Sequence, residues 1–263
     1  MADLALRESI ELQGRSALSE VLLLADNPRV KGIYSSLQKE VGDLRTVTDK
    51  NRIIFEKYGK MLRDEVEPWL RNAEKVYGDR PRVQFHLPGP RSFVRTWRKP
   101  GDDIKLDDIS GFRFIVAEAQ KDKNIKLGLE PGREGLVYRA VVPVLIDGEV
   151  YGSIESGDHF NRYVRTHLKK DPQIKSFAII LKKDLETIMD FYIKEGKVKS
   201  QGNAILYDRS ENITEEMLKR IIEKAHKNEH FDHDGLTYIR VPLKSYKGED
   251  LGFMVMGFDF QAW

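Results

Sequence analysis

The chain has 263 residues, 40% apolar and 10% aromatic, which is enough to fill two modest cores and too much for a wholly disordered polymer. Its 44 basic and 42 acidic residues are interspersed and leave a formal charge of only +2, which argues against a nucleic-acid partner. Cysteine is absent, so thiol catalysis, thiolate metal sites and disulfides are excluded, and no apolar run approaches the roughly 20 residues needed to span a bilayer.

A helix is predicted over residues 3–26 and ends at Asn27-Pro28, because a proline disfavours helical geometry in the residue before it. A second helical piece follows from Pro28, which occupies an allowed first-turn position. A third runs from Asp49 to Tyr77. Its Ile54, Tyr58, Leu62, Val66, Trp69, Ala73 and Val76 recur at spacings of three and four. That stripe predicts a helix packed on its own sheet, with a dimer seam as the alternative.

From Arg82 the texture changes to strands. Val83–Leu87 and Ser92–Arg98 flank the turn Pro88-Gly89-Pro90. A loop over 99–103, a short helix or turn over 107–112 and a strand over Phe114–Ala119 follow. The segment GLEPGREG, residues 128–135, reads as a flexible turn entering a hairpin. Asp158–Leu168 reads as a linking helix. Beyond it come a strand over Ser176–Lys182, a helix over Asp184–Lys194, a strand over Asn203–Tyr207, a helix capped by Thr214 and a hairpin over 236–260.

Two of these stretches are copies of one another: YRAVVPVLIDGEVYGSIESGDHF at 138–160 and YIRVPLKSYKGEDLGFMVMGFDF at 238–260. Gly148, Glu149, Gly152, Gly157 and Phe160 return as Gly248, Glu249, Gly252, Gly257 and Phe260. Each copy reads as a β-hairpin, and a hairpin cannot bury its own apolar face. Two of them at a fixed interval therefore imply two similar α+β modules in tandem.

The first module carries more polar groups on strands than folding requires. Alternation along 92–98 puts Phe93, Arg95 and Trp97 on one face. A guanidinium between two aromatics suits a pocket in which it forks onto a carboxylate. His86, Arg113, Glu118, Arg139 and Glu155 are placed to converge on the same cavity; the alternative is a set of exposed cross-strand charge pairs. Where the first copy has Ser153 and Glu155, the second has Phe253 and Val255, so one module reads as a ligand pocket and the other as a packed core.

Catalytic signatures are missing: there is no Gly-rich phosphate loop, no His-Glu-x-x-His and no nucleophile elbow. Asp102-Asp103 and Asp107-Asp108 read as solvated turn carboxylates. His230-Phe231-Asp232-His233-Asp234 offers two histidines without the geometry of a metal site.

Together, FHLPGPRSFVRTWRKPGDD, SGFRFIVAEA and GLEPGREGLVYRAVVPVLIDGEVYGSIESG resemble the double Cache sensory domain of bacterial sensor histidine kinases and chemoreceptors. The resemblance implies an α+β fold, with a long N-terminal helix followed by two tandem PAS-like antiparallel-sheet modules. The helical stalk would span residues 1–79. A membrane-distal module with the ligand pocket would span 80–160, and a linking helix with the membrane-proximal module 161–263. It further implies a non-enzymatic, extracytoplasmic piece of a membrane receptor, with flanking transmembrane helices outside this sequence and a homodimer formed through the N-terminal helix. The expected ligand is a small, anionic, carboxylate-like metabolite held by His86, Phe93, Arg95, Trp97, Arg113, Glu118, Arg139 and Glu155, with no metal or other cofactor. The runner-up is a dimerisation domain without a ligand. A hydrolase built on Asp102, Asp103 and His86 is a distant third.

Overall fold

The computed structural model describes residues 2–168 and 171–259, so Phe260, which closes the second copy of the repeat, lies outside the described residues. The chain divides into two compact units. The first comprises Ile10–Gly128 with Tyr138–Asp158, and the second is built mainly from Leu129–Val137 and the chain from His159 onward.

Helix α1 spans Ala2–Asp26 and α2 spans Pro28–Val41. Between them Asn27 accepts hydrogen bonds at its side-chain oxygen from the backbone N–H of Arg29 at 2.8 Å and of Val30 at 3.3 Å. These donors have no partner within the helix, and Pro28 brings no donor of its own. Asn27→Ala is expected to lower stability by about 1 kcal/mol in urea unfolding; an unchanged midpoint would show the cap to be energetically idle.

Helix α3, Arg52–Tyr77, continues through Pro68. Its Phe55, Tyr58, Leu62, Val66 and Leu70 belong to one buried cluster with Val30, Tyr34 and Leu37 of α2 and with apolar side chains of the adjoining sheet. The stripe is thus packed on its own sheet, apart from its last member Val76, which is 76% exposed.

That sheet contains β1 (Val83–Leu87) and β2 (Arg91–Arg95), then, after helix α4 (Phe114–Asp122), β3 (Lys126–Gly132), β4 (Gly135–Ile146) and β5 (Glu149–His159). The strand order is β2-β1-β5-β4-β3. Three expectations need correction. Phe114–Ala119 is helix rather than strand. The pattern of burial explains why: Ile115, Val116, Ala119 and Gln120 are buried, whereas a strand would have lined Glu118 up with Phe114 and Val116. β2 stops at Arg95, short of Arg98. GLEPGREG is strand, tight turn and strand, with only Arg133 and Glu134 between β3 and β4.

In the second unit, α5 (Phe160–Leu168) leads to β6 (Ile174–Lys182). The helix expected over 184–194 is a 3-10 turn, Lys183–Thr187, followed by the short α6 (Asp190–Lys194). Strands β7 (Lys199–Gln201) and β8 (Ala204–Arg209) precede α7 (Glu215–Lys227). Thr214 caps α7 by accepting from the N–H of Met217 at 3.2 Å, and Glu215 and Glu216 face the positive helix end. Strands β9 (His230–His233), β10 (Leu236–Lys244) and β11 (Asp250–Phe258) complete a six-stranded sheet of order β7-β8-β6-β11-β10-β9. Leu218, Ile221 and Ala225 of α7 pack on Ala178, Ile180, Phe253 and Val255.

One repeated pair, Gly152 and Gly252, has a single structural cause. A Cβ on Gly152 would lie 2.1 Å from the carbonyl oxygen of His86 on β1, and a Cβ on Gly252 would lie 2.2 Å from that of Ile180 on β6. In each sheet the neighbouring strand occupies the space a side chain would need.

Candidate functional site

The site begins with alternation in β1. Val83, Phe85 and Leu87 join the cluster under the helices, which leaves Gln84 and His86 on the opposite face of the sheet. Register then places Ser153 of β5 against His86 and Glu155 against Gln84, and all four are buried. Buried polar groups are costly unless hydrogen-bonded. Gln84 Nε2 donates to Ser92 Oγ at 3.0 Å, and Gln120 Nε2, reaching in from α4, donates to Leu87 O at 3.0 Å and to Ser153 Oγ at 3.1 Å. Ser153 Oγ lies 3.1 Å from His86 Nδ1. With the Ser153 hydroxyl accepting from Gln120 and donating to Nδ1, the imidazole proton of His86 sits on Nε2, the tautomer that turns its N–H toward the Glu155 carboxylate.

That Nε2 faces Glu155 Oε2 at 3.6 Å, beyond hydrogen-bond length. The other carboxylate oxygen accepts from Arg139. His86 Nε2, Glu155 Oε2 and Gln120 Oε1 are buried and make no hydrogen bond among the described residues. Burial pushes the Glu155 carboxyl up, but the guanidiniums of Arg139 and Arg113 and the His86 ring outweigh it and hold it at about 2. Burial is also the main effect on His86. The charges of Arg113, Arg139 and Arg95 add to it, Glu155 opposes, and the imidazole is held at about 4. At neutral pH the centre is therefore a neutral imidazole beside a carboxylate.

Arg95 shares this face because it pairs with Gln84, and a β-bulge then brings Ser92 to the same face in place of Phe93. Phe85 pairs with Val94 but His86 pairs with Ser92, so Phe93 is an extra residue in β2. Ser92 and Arg95 consequently share the face of Gln84 and His86, while Phe93 and Val94 both enter the opposite core. There Phe93 meets Tyr34 and Phe55 edge-on, with ring centroids 6.2 and 6.4 Å apart. The expected grouping of Phe93 with Arg95 is thus undone. Trp97 lies past the end of β2, half-buried, with the Arg82 guanidinium 4.8 Å from its ring centroid. Glu118 is half-buried on α4, off the stripe that carries Gln120. The structure therefore brings together His86, Arg95, Arg113, Arg139 and Glu155, and separates Phe93 from them.

The edge of β2 is covered by the loop beyond it. Arg95 N–H donates to Asp103 O at 2.8 Å, Lys105 N–H to Phe93 O at 3.0 Å, and Ser92 N–H to Asp107 O at 2.9 Å. The Arg95 guanidinium binds both oxygens of Asp107, at 3.0 and 3.2 Å. Asp103 is buried rather than solvated: its carboxylate accepts from Arg63 of α3 at 2.9 Å and from Gly101 N–H at 2.9 Å. Asp102 is an exposed turn residue that pairs with Lys105.

Sequence reasoning missed Gln84, Ser92 and Gln120. Gln84 shares the parity of His86 in β1, which was the available signal. Gln120 also lines an open cavity of about 360 Å³ between α4 and the Pro88-Gly89-Pro90 turn, with Arg45, Lys121 and Lys123 on its walls. Among the described residues no group of three His, Asp or Glu could hold a metal ion, and no helix is long and apolar enough to cross a membrane.

Comparison with known proteins gives a family. The sequence model of dCache_3, described as the double sensory domain of two-component sensor kinase, matches residues 81–262. No curated protein sequence matches the chain. Among solved structures, the sensor domain of the V. cholerae histidine kinase DctB aligns over 98% of this chain and 97% of its own, at 10% identity and a TM-score of 0.48. The ligand-binding domain of the Campylobacter jejuni chemoreceptor Tlp3, in complex with L-valine, aligns over 98% and 96%, at 12% identity and a TM-score of 0.41. The sensory domain of the same chemoreceptor with isoleucine bound aligns over 98% and 96%, at 13% identity and a TM-score of 0.40.

Proposed function

Because the chain belongs to the double Cache family, the double sensory domain of two-component sensor kinases, we propose that it binds a small anionic metabolite on the polar face of its first module, residues 80–160. Domains of this family are the sensing parts of signalling receptors, not catalytic domains. The observation that carries the reading is the buried His86–Glu155 pair, with unsatisfied atoms on both partners and three guanidiniums acting on the imidazole. Natural folds rarely leave such atoms open, and a ligand is one way to complete them. Arg95, Arg113 and Arg139 favour a carboxylate. Gln120 Oε1 and Glu155 Oε2 are acceptors for a hydroxyl or ammonium group on the same molecule. A small hydroxy- or amino-carboxylate combines both.

In this reading the sensor lies outside the cytoplasm, the second module, 161–263, relays the signal, and two copies associate through the N-terminal helices. Leu23 of α1 and Ile53 of α3, 71% and 73% exposed, are available for that contact. Sedimentation at rising concentration tests it, and a persistent monomer removes that element. Binding conveys a signal only when the ligand prefers one arrangement of the receptor over another.

A thermal-shift screen of hydroxy acids, amino acids and amines tests the ligand class. A true ligand at a hundredfold excess over its Kd stabilises the fold by about 2.7 kcal/mol. Arg95→Ala is expected to abolish that stabilisation and to cost the empty protein less than about 1 kcal/mol, because the Arg95–Asp107 pair is partly exposed. Full stabilisation in the variant would remove Arg95 from the site.

A further inference from the structure

The second copy was expected to be a packed core, yet the second unit contains an open cavity of about 770 Å³ beside α7, within the size range of small-molecule sites. Two surfaces form it. Ile180, Gly252 and Phe253 contribute from the sheet, and Lys219, Ile222, Glu223 and His226 contribute from α7. Those four helical positions follow i, i+3, i+4, i+7, so they are one stripe, running beside the Leu218–Ile221–Ala225 stripe that packs on the sheet. The helix seals the sheet with one stripe and leaves the next one open.

Arg240 is the anomaly in this cavity. It pairs with Val255 across β10 and β11, and Pro242 pairs with Phe253, so Arg240 occupies the helix-covered face of the sheet. Its guanidinium lies 5.1 Å from the centroid of the Phe253 ring. Its Nε is buried without a hydrogen-bond partner, and among the described residues it has no acidic partner. Stacking on Phe253 holds the fork in one plane and leaves its edge for an anion. The other charges are largely spoken for: Lys182 pairs with Asp184 at 3.2 Å and Asp250 with Lys244 at 3.4 Å. Lys219 and Glu223, one helical turn apart on the cavity wall, carry opposite charges.

We propose that this cavity is a second ligand site, for an amphipathic monocarboxylate whose carboxylate meets Arg240 and whose aromatic or aliphatic body lies among Ile180, Ile222 and Phe253. The site is independent of the polar face in the first unit, and it gives the second unit a ligand response of its own.

Calorimetric titration of the whole chain with phenylacetate and with hexanoate tests this, with phenylacetamide as the uncharged control. At least one acid is expected to bind, phenylacetamide is expected to bind at least tenfold more weakly than phenylacetate, and Arg240→Gln is expected to weaken the acid at least tenfold. Ile222→Trp, which fills the cavity and leaves the guanidinium in place, should abolish binding even if Arg240→Gln folds poorly. Arg95→Ala, in the other unit, should leave the affinity unchanged. Absence of binding by both acids, equal affinity for the amide, or loss of binding in Arg95→Ala with retention in Arg240→Gln and Ile222→Trp would each overturn the proposal.

Discussion

Arg139→Met is expected to destabilise the protein by about 3–5 kcal/mol at neutral pH, because it leaves Glu155 buried with its nearest countercharge gone. The double variant Arg139→Met, Glu155→Leu should recover most of that loss, since an apolar pair of similar volume often replaces a buried ion pair at no cost. The pH dependence separates charge from packing. In the wild type, Glu155 is held at about 2, below its ordinary 4.5, so its contribution is fully present above pH 4.5 and is lost as pH falls through 2. His86 is held at about 4, below its ordinary 6.5. Its preference for the neutral ring therefore supports the fold above pH 6.5 and is lost as pH falls through 4. In the single variant, burial of the carboxylate is opposed less, so acidification relieves it. The gap between variant and wild type should accordingly shrink from pH 7 toward pH 4.5 in urea unfolding. A gap that stays constant over that range would assign the effect of Arg139 to packing alone.

Gly152→Ala and Gly252→Ala are each expected to cost about 3 kcal/mol or more, since neither strand can yield without breaking its ladder. Both glycines also have positive φ, +158° and +128°, so a side chain is opposed by the backbone conformation as well as by the neighbouring carbonyl. Gly32→Ala is the control. It lies within α2 with nothing within 4 Å of an added Cβ, so alanine there should stabilise by about 0.5–1 kcal/mol. Loss of the folded signal in both strand variants, but not in the helical one, would identify close backbone approach as the reason the two hairpins keep the same glycine. Near-neutral strand variants would show that the sheets can spread to admit a methyl group.

Those hairpins explain why so much of the fold was legible. Gly152 and Gly252 are fixed by the same steric demand in both sheets, so the repeat survives in the sequence where the surrounding residues have diverged. The helices were legible for a similar reason: the α3 stripe from Tyr58 through Leu62 to Val66 is one continuous buried face. Phe114–Ala119 was misread because a short apolar run fits a strand as well as a buried helical turn, and only Gln120, beyond its end, distinguishes the two. The bulge at Phe93 leaves no local mark at all. One extra residue breaks the alternation between Phe93 and Arg95, so Arg95 reached the right face in the sequence reading while Phe93 was placed on the wrong one. The cavity in the second unit escaped because Phe253 and Val255 read as core, which they are; the signal lay across the strand. Arg240 shares parity with the buried Tyr238, and a lone charge there needed a reason.

Asp103 has a mechanical consequence. Its main-chain oxygen grips the backbone of Arg95 at the strand edge, and its carboxylate grips Arg63 on α3. Both grips are sheltered, with the side chain of Asp103 only 5% exposed and that of Arg63 12%. Sliding the edge of β2 without α3 would strand a desolvated carboxylate, at a cost of several kcal/mol, many times thermal energy. The strand edge and the 26-residue helix therefore form a stiff linkage, and a displacement of one by even an ångström is inherited by the other.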